Sequence, residues 1–138
     1  MYRKRFIKEP TEHYLADMEN RKKRALVIDD EEALRDIVTE VLDMVGMEAV
    51  TASSGVEAIK IVSELPNHID IMIIDMYMPD LTGEETYEKL KEFYPNCPVL
   101  YISGLDRSED YKSPAPNVQF LKKPFAVKDL QDAIQKLL

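Results

Sequence analysis

At 138 residues, with 45% hydrophobic and 32% charged side chains, the chain is long enough for one folded domain with a single core and too apolar for a disordered segment. Its net charge of -8 is unevenly spread: residues 1–24 carry eight Lys/Arg against four Asp/Glu and the rest carry ten against 22, a head of +4 and a body of -12. The acidic body argues against direct DNA binding, no apolar run approaches the roughly 20 residues needed to cross a bilayer, and the lone cysteine, Cys97, excludes an internal disulfide. The stretch Met1–Ile7 lacks the apolar core of a secretory leader, so a cytoplasmic protein without membrane insertion is expected.

Residues 1–23 read as a basic extension, in which Thr11 could cap a brief helix that brings Tyr14, Leu15 and Met18 together. A frayed tail and a docked helix fit this stretch equally well. From residue 24 onward, apolar runs bounded by breakers alternate with segments of helical period, the pattern of repeated strand–helix units on a parallel sheet. The first strand-like run, Ala25–Ile28, is followed by Leu34, Ile37, Val38, Val41, Leu42 and Val45 on one helical face, and Gly46 stands where a left-handed C-cap is easiest. After a weak run at Ala49–Ala52, Ser53 or Ser54 caps a helix with Val56, Ala58, Ile59, Val62 and Leu65 that must stop before Pro66. A third run, Ile69–Ile74, precedes a helix opened by Thr82 and Glu85 at capping-box spacing, burying Tyr87, Leu90 and Phe93 or Tyr94 before Pro95. Val99–Ile102 and Val118–Leu121 complete five runs whose β-branched content suits strands covered on both faces. Between them, Leu105–Lys112 is poorly helical and Ser113-Pro114-Ala115-Pro116 forbids a continued helix, so a short or mobile helix is expected there. The last helix runs from about Ala126, with Val127, Leu130, Ile134 and Leu137 on one face.

The polar residues of interest fall at the carboxyl ends of the strand-like runs, where open parallel sheets build their functional crevice. Asp29 and Asp30 follow the first run, Asp75 the third, Ser103 the fourth, and Lys123 lies just beyond the fifth. A strand order of 2-1-3-4-5 with right-handed crossovers would gather them. Three carboxylates in a small space repel one another, and a divalent cation relieves that best; oxygen donors with room for water suit Mg2+, with Mn2+ as the alternative. Beside such a cation Asp75 could act as nucleophile toward a phosphoryl group, with Lys123 and the Ser103 hydroxyl meeting its other oxygens.

Asp29-Asp30, the stretch Ile73-Ile74-Asp75-Met76-Tyr77-Met78-Pro79, Ser103-Gly104 and Lys122-Lys123-Pro124-Phe125 occur in order at these strand ends. Together they make residues 24–138 resemble a two-component response-regulator receiver domain of the chemotaxis-regulator kind. The resemblance implies a flavodoxin-like, doubly wound five-stranded parallel sheet of order 2-1-3-4-5 with helices on both faces. It implies Asp75 as phosphoacceptor, Asp30 as a direct metal ligand, Asp29 as a ligand acting through water, and the Tyr77 backbone carbonyl as a further ligand. Ser103 would be the switch hydroxyl, Lys123 the phosphate-binding lysine and Phe120 the switch aromatic, while the Tyr77 side chain would influence phosphate lifetime through water access. The implied partners are a histidine kinase or histidine phosphotransfer protein and a downstream protein, with a homodimer as a further option. The poorly helical segment before the fifth strand puts the usual output face in doubt.

Two enzyme or carrier readings fit less well. An aspartyl phosphatase resembling haloacid dehalogenases needs Asp-x-Asp after its first strand, but Glu31 stands two beyond Asp29. A flavodoxin-type carrier needs a hydroxyl- and glycine-rich phosphate loop where this chain has four consecutive acids, Asp29–Glu32. An interaction module that has given up phosphorylation is opposed by the full set Asp29, Asp30, Asp75, Ser103 and Lys123. No output domain follows the last helix, so the chain is expected to be a stand-alone regulator or a piece of a hybrid kinase or longer regulator. His13 and His68 read as surface residues and Cys97 as a small core or loop residue.

Overall fold

Alternation of apolar side chains along the central strands builds two cores at once. The computed structural model of the protein describes residues 21–64, 68–105 and 116–138. Within them run β1 (Arg24–Ile28), α1 (Glu32–Met44), β2 (Glu48–Ala52), α2 (Gly55–Glu64), β3 (Ile71–Asp75), α3 (Gly83–Leu90), β4 (Val99–Ser103), β5 (Val118–Lys122) and α4 (Val127–Leu137). The five strands pair in parallel in the order β2-β1-β3-β4-β5. Successive strand residues point to opposite faces. Leu26, Ile28, Met72, Ile74, Val99 and Tyr101 accordingly join one core with Ala58, Val62, Tyr87 and Leu90 of α2 and α3. Ala25, Val27, Ile71, Ile73, Leu100 and Ile102 join the other with Val38, Val41 and Leu42 of α1 and Leu130 and Ile134 of α4. The expected fold, with helices on both faces, is the one observed.

Local signals end the helices where they stand. Gly46 takes φ 78°, and Met47 N–H donates to the Leu42 carbonyl at 2.9 Å, closing α1 with a left-handed glycine. Thr82 Oγ1 accepts from Glu85 N–H at 3.1 Å while Glu85 Oε1 accepts from Thr82 N–H at 2.9 Å, the reciprocal pair expected at the start of α3. Ser54 Oγ accepts from Glu57 N–H at 3.0 Å at the head of α2.

The structure amends the sequence reading in several places. α3 ends at Leu90 and continues as a turn, leaving Phe93 exposed while Tyr94 packs against the core. The third strand pairs from Ile71, not Ile69, because its ladder with β1 starts at Ala25 opposite Ile71. Ile37, Val56 and Val127, placed by period on buried faces, are 46%, 59% and 45% exposed. Residues 1–20, Leu65 and Pro66 at the expected end of the second helix, the expected helix within Leu105–Lys112 beyond Leu105 itself, and Ser113–Ala115 lie outside the described residues.

Candidate functional site

Parallel strands that all end on one side bring their following loops together, and here the ends of β1, β3, β4 and β5 meet. Asp29 follows β1 and is 3% exposed; Asp75 is the last residue of β3 and is 5% exposed; Asp30, between Asp29 and α1, faces solvent. One carboxylate oxygen from each of the three lies within 4.8 Å of the others. Lys123 Nζ reaches in from the end of β5, 3.9 Å from Asp75 Oδ2 and 4.0 Å from Asp29 Oδ2. Ser103, buried at the end of β4, accepts from Leu105 N–H through its Oγ at 3.0 Å, and its carbonyl accepts from Lys123 N–H at 2.7 Å. That last bond ties the lysine to β4, directly before a cis Lys123–Pro124 peptide.

Backbone hydrogen bonds hold the acids in place. Asp29 Oδ1 accepts from Glu31 N–H at 2.8 Å, and Asp75 Oδ1 accepts from Tyr77 N–H at 3.3 Å. The Asp29 carbonyl accepts from Arg35 Nη1 at 2.7 Å, so the first turn of α1 is pinned to the loop it follows. Gly83, the first residue of α3, lies against the backbone of Asp75: a Cβ there would stand 2.5 Å from the Asp75 carbonyl oxygen. A side chain there would therefore force α3 and the end of β3 apart. Asp80 fastens the same loop to α2, accepting from Val56 N–H at 2.9 Å and Gly55 N–H at 3.4 Å.

The electrostatics follow from burial and crowding. Burial, and then the neighbouring Asp29 charge, push the Asp75 carboxyl up to about 6 from its ordinary 3.8, against the opposing pull of Tyr77 N–H and Lys123. Burial also raises Asp29, in spite of its bond from Glu31 N–H and the nearby lysine. A cluster of three carboxylates served by one ammonium is short of positive charge. Its donors are all oxygen, and among the described residues no histidine or cysteine joins it, so it can hold a hard divalent cation.

The sequence-selected residues thus divide into two groups. Asp29, Asp30, Asp75 and Lys123 converge, with Ser103 and the Tyr77 backbone on the same rim. Phe120 is half-buried on β5, stacked on Tyr101 with ring centroids 5.4 Å apart, and Tyr101 in turn meets Tyr87 edge-on at 6.1 Å. Cys97 is buried elsewhere, its thiol pushed up to about 12 by burial. The sequence reading missed Glu31, whose Oε1 is 3.4 Å from Lys123 Nζ, together with Arg35, Asp80 and Gly83. The run of four acids was a signal for Glu31, but its partner lies 92 residues away.

Comparison with known proteins gives this geometry a lineage. The family described as "Response regulator receiver domain" matches residues 25–135. Sensor kinase CckA of Brucella abortus is 30% identical over 115 residues, 82% of this chain and 12% of the relative. Response regulator SaeR of Staphylococcus epidermidis is 31% identical over 107 residues, 76% of this chain and 45% of the relative, so this chain spans less than half the length of either. Among solved structures, the response regulator protein TrrA of Thermotoga maritima, in complex with Mg2+ and BeF, superposes with a TM-score of 0.70 at 29% identity, over 84% of this chain and 99% of that one. The chain belongs to the response regulator receiver domains of two-component systems.

Proposed function

We propose that residues 24–138 form a phospho-accepting receiver that takes a phosphoryl group from a phosphohistidine donor onto Asp75, and that residues 1–23 are an extension to it. The observation that carries this reading is the meeting of Asp29, Asp30 and Asp75 within 4.8 Å, with Lys123 Nζ 3.9 Å from Asp75. Asp75 supplies the attacking oxygen: its P–O bond forms as the donor's P–N bond breaks, the electron pair staying on the imidazole nitrogen. Tyr77 N–H holds that carboxylate in orientation, Lys123 meets a phosphoryl oxygen, and the Ser103 hydroxyl turns from Leu105 N–H to donate to another. Phe120 is the ring whose packing responds to that turn.

Asp29, Asp30, Asp75 and the Tyr77 backbone carbonyl would hold the metal, and the all-oxygen donor set fits Mg2+, or Mn2+ in its place. When bound, the ion supplies neutralisation of phosphoryl charge. The presence of Mg2+ with BeF in the Thermotoga maritima relative supports this choice. The protein speeds only its own phosphorylation and dephosphorylation and turns over no separate substrate.

Receiver domains of two-component systems interact with kinases and downstream effectors. Here the donor is a histidine kinase or a histidine phosphotransfer protein, and a downstream protein reads the phosphorylated state, with a homodimer as a further form. No helix of the described residues is long and apolar enough to cross a membrane. A cytoplasmic location, and signalling without direct DNA contact by this acidic domain, complete the reading.

Intact-protein mass after incubation with acetyl phosphate tests it. One phosphoryl adduct that requires both Mg2+ and Asp75 is expected. Its absence, with beryllofluoride also failing to bind, would favour a phosphorylation-independent interaction module.

A further inference from the structure

The loop after β1 carries an acid that the coordination of a metal does not use. Glu31 sits at the N-cap position of α1 in extended backbone, but its side chain makes no capping bond. Its carboxylate turns instead to Lys123, 3.4 Å from Nζ and nearer than either Asp75 or Asp29. The Glu31 side chain is 64% exposed, so it contributes little to the core, while its backbone N–H fixes Asp29 at 2.8 Å. The residue is therefore held at the mouth of the site with its charged end on the ammonium.

We infer that Glu31 masks Lys123: its carboxylate occupies the place of a phosphoryl oxygen in the resting protein and must be displaced for Asp75 to be phosphorylated. This rests on the receiver reading above, which gives Lys123 to the incoming phosphoryl group. The cation that should receive a phosphoryl anion nearing Asp75 is already engaged by this carboxylate. That engagement slows transfer in the resting state. Once the phosphoryl group holds Lys123, Glu31 is expelled into solvent, so its side chain is a further element, besides Ser103 and Phe120, whose position depends on phosphorylation. Glu31 acts through Lys123 and is a positioning residue, not a catalytic one.

The test uses the full chain with Mg2+ and acetyl phosphate. In this reaction an Asp75 oxygen forms a bond to phosphorus as the bond from phosphorus to the acyl oxygen breaks, its electron pair leaving with acetate. Glu31→Gln and Glu31→Ala should each raise the second-order rate of adduct formation, by roughly two- to fivefold given the strength of exposed ion pairs. The gain should shrink as added salt screens the pair. In a Lys123→Met background the same Glu31 substitutions should produce no gain, because the residue being masked is gone. Wild-type rates in both Glu31 variants, or a gain that persists without Lys123, would overturn the inference while leaving the receiver reading intact. Failure of the wild type itself to form an Asp75 adduct would overturn both.

Discussion

The two ends of the sheet treat their acids in opposite ways. At the amino ends of the strands, Asp70 is compensated: its Oδ2 accepts from Arg24 N–H at 2.8 Å, and Arg21 and His68 stand 4.0 and 3.6 Å from its carboxylate. Asp70 N–H donates back to the Arg24 carbonyl at 2.8 Å, so the acid closes a reciprocal link between the starts of β1 and β3. At the carboxyl ends, Asp29, Asp30 and Asp75 crowd round a single lysine that Glu31 also claims. A fold that can satisfy an acid at one end and leaves three under-compensated at the other holds repulsion that a ligand relieves. The difference separates a structural carboxylate from a functional cluster more cleanly than burial does.

The comparison is sharpest at Asp75. Its carboxyl is raised to about 6 in the metal-free folded protein against an ordinary 3.8, so the folded state binds the extra proton between those values. This contribution to stability is full below about pH 4 and is lost as pH rises through about 6, at a cost of up to about 3 kcal/mol. Asp75→Asn should therefore stabilise the metal-free protein at pH 7 by about 1–3 kcal/mol and flatten the decline between pH 4 and 6 in urea titrations, while abolishing phosphorylation. A destabilised Asp75→Asn protein would mean that the carboxyl-end cluster is not strained. Next in size is the metal: Mg2+ at a hundred times its dissociation constant should raise stability by about 2.7 kcal/mol, and equal melting temperatures with Mg2+ and with chelator would contradict the site. Asp70→Ala should have the opposite sign to Asp75→Asn, losing about 1 kcal/mol with the Arg24 N–H bond, and should leave Mg2+-dependent stabilisation unchanged. A melt of each variant with and without Mg2+ separates the two ends.

Much of this was legible before any coordinates. Alternating strand and helix signals gave the layers, Gly46 and the Thr82–Glu85 pair gave helix ends, and Asp29, Asp30, Asp75 and Lys123 could be placed at neighbouring strand ends. These are local patterns, or patterns that one topological rule extends. Illegible were the relations that join distant loops: Glu31 on Lys123, Asp80 on the head of α2, and Gly83 against the Asp75 carbonyl. Each depends on how two loops approach, which neither loop's own sequence encodes. Helical period likewise placed Ile37 and Val56 on buried faces, whereas both are exposed.

The ring stack of Tyr87, Tyr101 and Phe120 has an optical consequence. The chain has no tryptophan, so its near-ultraviolet circular dichroism comes mainly from tyrosine, and two of its seven tyrosines are held in fixed orientation in this stack. Any repacking of Phe120 alters the asymmetric surroundings of Tyr101. The domain therefore carries its own chromophore at the β4–β5 edge, through which a conformational change can be followed in real time without a label.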